Sequence, residues 1–305
     1  MDVDTRLLRY FLAVAEEGSL TRAAERLFVS QPALTRQIRQ LENALGTRLF
    51  TRSRAGMTLT EPGQVLAAKA PAVLTEWTSA LHATRTADRR ASRVLRVGFL
   101  ASAANEATQG IIAAFTRRRP GWRVDMRQAA WSDPTAGLAS RDVDVALLRV
   151  PFPGEETLRV EVLFTEPRWV ALPTAHPLAA RPRVEFRELW DEPFVAAPAE
   201  TGSWRDYWLA VDERGGHPVR VGAVTSQPDE WLNAIANGYG IALAPASAAR
   251  FYPRPGVTYR PVDGVTPSHV AVAWAPLDDD DPVVQDFVHC CREASRGDLA
   301  DETSN

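Results

Sequence analysis

The chain has 305 residues, 45% of them apolar and 24% charged, with a formal net charge of −3. That length exceeds one ordinary domain, and the composition excludes a disordered or fibrous chain in favour of a globular one with sizeable cores. No apolar run approaches the ~20 residues of a membrane span and the start, DVDTRLLRYF, is no secretory signal, so a cytoplasmic protein without membrane contact is expected.

The charge is unevenly distributed. Residues 1–93 carry 14 Lys+Arg against 9 Asp+Glu, so the N-terminal end is basic and the remainder acidic. At that end Leu7, Leu8, Phe11, Leu12, Val14 and Ala15 form the apolar face of a first helix ending near Gly18. Ser19 is an N-cap for a second helix with Leu20, Ala24 and Leu27 inward, and Ala23 and Ala24 are small enough for helices to cross closely. Ser30 caps a third, Pro32 occupies its first turn, and Leu34, Ile38, Leu41 and Leu45 recur at helical spacing as its buried stripe. Thr35, Arg36 and Arg39 then face outward, with Gln31 at the tip. Gln suits adenine N6/N7 and Arg suits guanine O6/N7 or phosphate, so this helix is built to enter a major groove. After Gly46, RLFTRSRAGMTLT reads as a hairpin whose tip carries Arg52 and Arg54, aimed at the phosphate backbone.

The run LRYFLAVAEEGSLTRAAERLFVSQPALTRQIRQLENALGTRLFTR, followed by LTEPG, resembles the LysR-type transcriptional regulators. The resemblance implies an α/β protein overall: an N-terminal winged helix-turn-helix, a long dimerising linker helix, and a two-lobed α/β effector-binding domain resembling type 2 periplasmic binding proteins. Residues Thr21, Arg22, Ser30, Gln31, Pro32, Thr35, Arg36, Arg39, Arg52 and Arg54 are the expected DNA contacts, with Thr21, Arg22, Arg52 and Arg54 on the backbone.

From 62 to 88 the chain is alanine-rich and helical. Leu66, Ala70, Val73, Trp77, Leu81 and Thr84 are spaced three or four apart, a seam for a partner helix; Leu66, Val73, Trp77 and Leu81 are the expected dimer contacts. Pro71 predicts a kink, and RTADRRASR (85–93) reads as a hinge.

Beyond the hinge, strands at 95–100, 122–128 and 144–148 with a helix at 106–118 argue for a parallel sheet. A second set follows at 169–172, 194–197, 219–224 and 241–244, with helices near 204–211 and 229–237 and a late strand at 269–274. The chain is expected to cross between lobes near Glu166 and Gly264. The domains are then 1–60 for DNA, 61–92 for linker and hinge, 93–165 with 265–295 for the first lobe, 166–264 for the second, and a polar tail at 296–305.

In open α/β sheets ligands bind beyond the carboxyl ends of strands. Those positions are Ala101, Ser102, Ala103, Trp131 and Arg149 in the first lobe, and Thr201, Gly202, Trp204, Thr225 and Pro245 in the second. Ser102 and Arg149 make an anchor for a carboxylate, with Trp131, Trp204 and Trp231 as flat walls, pointing to an acidic or aromatic effector. Two duller roles stand beside these: Ser102 as a helix cap, and Arg149 paired with Glu155 or Glu156. The acids at 278–281 read as an N-cap rather than a calcium site.

Catalytic signatures are absent: no G-x-S-x-G, no P-loop, no G-x-G-x-x-G after a strand. The five histidines are scattered, and the adjacent Cys290 and Cys291 neither bracket a loop nor supply a zinc site, so no metal or cofactor is expected. The expected function is a sequence-specific regulator that binds an interrupted palindrome as a homodimer or homotetramer, responds to a small effector and contacts RNA polymerase. Two other readings stay open at this point: an architectural DNA binder without ligand, and a solute-binding protein or enzyme with an incidental DNA module.

Overall fold

The structure is a computed structural model that describes residues 3–27, 29–53 and 56–302. It divides into two units, Met1–Asp88 and Arg89–Asn305.

In the first unit, α1 (Thr5–Glu17) starts where the Asp4 carboxylate accepts the Arg6 amide at 2.7 Å and ends at left-handed Gly18. Helix α2 (Leu20–Arg26) is capped by Ser19, and α3 (Gln31–Leu45) by Ser30, which accepts the Ala33 amide at 3.3 Å. The three share one core around Phe11, Val14, Leu34, Ile38 and Leu41, with Ala23 and Ala24 buried where α2 packs. Each fully buried leucine or phenylalanine there contributes ~1.5–3 kcal/mol. Strands β1 (Phe50–Ser53) and β2 (Gly56–Leu59) pair as an antiparallel hairpin, Phe50 opposite Leu59. Phe11 and Phe50 meet at 5.3 Å, and the Met57 amide donates to Gly18 O at 2.9 Å, so the hairpin is tied to the end of α1. A Cβ on Gly56 would lie 2.5 Å from that same Gly18 oxygen, which is why this position takes glycine.

Helix α4 (Glu61–Ser92) corrects one expectation: it continues through most of the stretch read as a hinge. It includes Pro71 within its span, and two positions of the expected seam pack against the first unit. Ala70 is buried and Leu66 half-buried against the first unit's own core. Val73, Trp77 and Leu81 remain 51%, 46% and 38% exposed.

The second unit begins with β3 (Val94–Phe99), α5 (Ala107–Arg118), β4 (Arg123–Gln128), β5 (Val145–Val150) and β6 (Arg159–Glu166). The chain then crosses into β7 (Arg168–Pro173), β8 (Val184–Glu185), β9 (Pro193–Ala196), α6 (Ser203–Trp208), β10 (Arg220–Val224), α7 (Pro228–Ala236), β11 (Ala242–Pro245), α8 (Ala248–Phe251) and β12 (Val257–Asp263). It returns through β13 (Ser268–Trp274) and α9 (Pro282–Glu302), whose helix extends into the stretch expected to be a frayed tail.

The first lobe's sheet has the order β4-β3-β5-β13-β6. Strands β4, β3 and β5 are parallel, but β13 runs antiparallel to β5 and β6, so the sheet is mixed rather than parallel throughout. Every residue of β5 is buried, as a central strand covered on both faces requires. Helices α5 and α9 cover one face, where Phe115 and Phe287 meet edge to face at 5.6 Å. Cys290 and Cys291 are ordinary core residues of α9, both thiols pushed up by burial.

In the second lobe the order is β11-β7-β12-β8, and the parallel pair β10-β9 joins it through a bridge between Phe194 and Ile241. Strands β6, β8 and β12 were not expected from the sequence. Among the described residues no helix is long and apolar enough to cross a membrane.

Candidate functional site

Two sites emerge, one in each unit. On the first, Gln31 and Thr35 stand one turn apart at the start of α3: Gln31 Nε2 donates to Thr35 Oγ1 at 3.0 Å, and that hydroxyl donates to Gln31 O at 2.9 Å. Pro32, Arg36 and Arg39 are exposed beside them, as are Thr21 and Arg22 on α2 and the capping residue Ser30. Arg22 is engaged, its Nε 3.4 Å from the Glu17 carboxylate, so it enters any complex already paired. Arg36, Arg39 and Arg52 have no acidic partner among the described residues. Arg54 lies outside the described residues.

A polar groove between α3 and the hairpin collects Thr35, Arg39, Arg52 and also Arg48, a residue the sequence reading passed over. Glu42 sets the shape of this groove: its Oε1 accepts the Leu49 amide at 2.8 Å and the Phe50 amide at 3.3 Å, fixing where β1 leaves α3. The arrangement presents three cations around a preset amide side chain, the charge pattern that a polyanion with readable edges complements.

The second site is a cavity of about 720 Å³, open mouth included, between the lobes and mostly walled by the second. Ala101, Trp131, Arg149, Trp204 and Pro245 line it, as the strand-end rule expects, and so do Trp231, Arg205, Trp208 and Tyr252. Trp131 reaches across from the first lobe. Its amide donates to Ser226 O at 3.1 Å, and its ring lies 6.1 Å from Trp204 and 6.0 Å from Trp231. On the outside, Glu106 of the first lobe pairs with Arg250 of the second, and this arginine with the local backbone holds the Glu106 carboxyl down despite partial burial.

Four expected contacts do not line the cavity. Ala103 is packed in the first lobe's core. Thr201 is buried and spends its hydroxyl on Pro198 O at 2.6 Å. Gly202 stands at the N-cap of α6 with a positive φ, and Thr225 is buried beside β9, its amide on Ala196 O. Ser102 belongs to the short 3-10 turn Ala101–Ala103, and its side chain is outside what the structure describes.

Arg149 also departs from expectation. It pairs neither with Glu155 nor Glu156; its Nη2 donates to Glu166 Oε1 at 2.7 Å and to Ser247 Oγ at 3.3 Å, and its Nη1 to Ser268 Oγ at 2.8 Å. Burial lowers the guanidinium's pKa, and the Glu166 charge works against that shift. Glu166 ends β6 and Ser268 begins β13, so Arg149 ties together the two strands at which the chain changes lobe. A second knot repeats the pattern: Arg168, at the start of β7, donates to Thr266 O at 2.6 Å and Tyr207 O at 2.7 Å and pairs with Glu213. Arg168 sits at a crossing and Arg149 bonds to residues that do, and the charges of both are spent on structure. Among the described residues no cluster of metal-ligating side chains occurs.

Two family models match the chain, one in each part. Residues 5–64 match the family described as bacterial regulatory helix-turn-helix protein, lysR family, and residues 88–296 match the LysR substrate binding domain. The chain is 31% identical to the Hca operon transcriptional activator HcaR of Escherichia coli over 299 residues, which cover 95% of this chain and 98% of HcaR. It is 27% identical to the HTH-type transcriptional regulator AlsR of Bacillus subtilis over 289 residues, 94% of this chain and 95% of AlsR. Among solved structures, full-length CbnR in complex with its target DNA has the same fold, with a TM-score of 0.53 and 23% identity over 96% of this chain and 99% of CbnR.

Proposed function

Because the chain belongs to the LysR family and is a DNA-binding transcriptional regulator with an effector-binding domain, we propose that it reads its operator through α3 and answers to a small molecule held between its two lobes. Gln31, Pro32, Thr35 and Arg36 lie nearest the bases, and Thr21, Arg22, Arg39, Arg48 and Arg52 hold the backbone. The observation that carries this is the pairing of a preset Gln31 amide with exposed arginines that have no acidic partner among the described residues. The exposed stripe Val73, Trp77 and Leu81 on α4 joins two copies, so that two recognition helices meet the halves of an interrupted palindrome. Ligand binding between the lobes shifts their orientation and so alters the spacing of the paired readers and their contact with RNA polymerase. The protein acts in the cytoplasm, where its DNA is. A ligandless architectural role is disfavoured by the cavity itself, and a catalytic one by the structural ties of Arg149 and Arg168.

The test is salt-dependent binding of the purified protein to the DNA upstream of its own gene, with random DNA as competitor and a footprint of the bound site. A protected palindrome is expected, with log K falling against log salt by about 0.9 for each phosphate contact. Binding no tighter than to random DNA from any upstream segment would remove the operator reading.

A further inference from the structure

We propose that Thr35 is a positioning residue: its hydroxyl fixes which way round the Gln31 amide sits, and so makes that amide selective for adenine at one operator position. This rests on the reading of α3 as the recognition helix and names how one of its side chains is made to discriminate.

A hydroxyl has one proton and two lone pairs. Thr35 Oγ1 donates its proton to the Gln31 carbonyl at 2.9 Å and accepts from Gln31 Nε2 at 3.0 Å. The first is the back-bond of a helical threonine to the carbonyl four residues earlier, and it holds χ1 of a branched side chain in one well. The second follows from the first. With its proton committed, the oxygen can only accept, so the amide meets it with Nε2 and not with Oε1. The two ends of a glutamine amide are alike in shape and differ only in hydrogen bonding, so a partner of this kind is what sets their order. Oε1 and the second N–H stay free. For the same reason Thr35 has no proton for a base or a phosphate while it serves Gln31, although it lines the groove between α3 and the hairpin.

The order matters because the bases differ in theirs. Adenine shows an acceptor, N7, beside a donor, N6–H, and takes both free groups of the amide at once. Guanine shows two acceptors, and thymine an acceptor, O4, beside its methyl group. An amide free to turn end over end puts Nε2 against guanine O6 or thymine O4 and loses little. Held in one sense, it sets Oε1 against those oxygens, which repel it, and keeps two bonds for adenine alone. Holding the side chain beforehand also removes part of the rotamer entropy lost on binding.

The experiment is selection by the full-length protein from a pool of duplexes with about 30 random base pairs, room for two half-sites a helical turn apart, and sequencing of the bound fraction. Gln31→Ala marks the position Gln31 reads, as the one whose preference disappears. There the wild type is expected to favour adenine. Thr35→Val keeps the branched shape without the hydroxyl and is expected to lower the preference for adenine over guanine about three- to tenfold. Thr35→Ser keeps the hydroxyl and is expected to stay within about twofold of wild type. In the Gln31→Ala background Thr35→Val is expected to change nothing further, because it acts through Gln31. The thermal midpoint of each variant reports its folding. The proposal is overturned if Thr35→Val keeps the full preference, if it weakens all sequences equally, or if another base is favoured at the Gln31 position. It is overturned too by a preference lost elsewhere and lost again in the Gln31→Ala background, which would make Thr35 a base reader itself. In each of those cases selected sequences still uphold α3 as the reader. If no sequence is enriched over the starting pool, the operator reading and the proposal fall together.

Discussion

Gln31 is set before any nucleic acid arrives. With Nε2 on the Thr35 hydroxyl and that hydroxyl returned to the Gln31 carbonyl, the amide keeps its Oε1 and one N–H for a base edge, the pair adenine N6/N7 asks for. Gln31→Ala is therefore expected to cost ~1–3 kcal/mol of discrimination at a single operator position, measured by equilibrium binding to operator variants. An equal loss on every variant would assign Gln31 to backbone positioning instead. Arg149 shows the reverse case, a residue whose chemistry fits a ligand and whose surroundings withhold it. Its side chain is not available to a carboxylate while Glu166 sits 2.7 Å away, and removing it would strand that glutamate at the lobe crossing.

At the scale of elements, the junction of α3 with the hairpin depends on one carboxylate. Glu42 receives two backbone amides that belong to neither a helix nor the β ladder at that point, Leu49 and Phe50. Glu42→Ala is expected to lower the first unit's stability by ~1–3 kcal/mol and to speed hydrogen exchange at those two amides above that of α1. Exchange that stays as slow as in the wild type would show the hairpin held by Phe11 and Phe50 alone. The contrast with the helix ends explains what the sequence shows and what it hides. Ser19, Ser30, Gly18 and Gly46 act on groups within four residues, so their roles are written locally. Glu42 acts across seven and eight residues, and Arg149 finds Glu166 across a sheet, distances at which residue type alone carries no address. Strand β6 escaped notice as an edge strand with weak alternation, and β8 has only two residues. The strand-end rule placed Trp131, Trp204 and Pro245 at the cavity because it fixes position; it failed for Ala103, Thr201 and Thr225 because it does not fix direction. Arg205 and Trp208 had a readable signal, since Trp204 and Trp208 share one face of a helix at i and i+4.

Within the second unit as a whole, one guanidinium gathers distant parts of the chain. Arg89 is 2% exposed, with Nη1 2.5 Å from Asp144 and Nη2 3.0 Å and 2.8 Å from Asp278 and Asp281. Asp144 also accepts the Arg96 amide at 2.9 Å, and Asp281 accepts Val283 and Val284 at the start of α9, so β3, the approach to β5 and α9 converge on this point. Burial alone would raise the Asp281 carboxyl; the hydrogen bond and charge of Arg89, with the two amides, bring it below the usual carboxylate range. Asp286, bonded to Arg118 and Arg119, is held down in the same way against its own burial. A carboxylate whose folded pKa is depressed adds stability above its unfolded value and loses it as pH falls through the folded one. The second unit is thus expected to hold its urea midpoint from neutrality down to about pH 4 and to weaken below that. Arg89→Met reverses the sign, because burial then acts on the Asp281 carboxyl without the cation that holds it down. That variant is expected to be less stable at pH 7 by ~3–5 kcal/mol and to regain part of the loss as pH falls towards 5, where the wild type is unchanged. Urea midpoints of both proteins between pH 7 and pH 3 decide the matter: parallel profiles would mean that the three aspartates do not depend on Arg89 for their charge, while profiles that converge on acidification identify it as the ion that lets them stay buried.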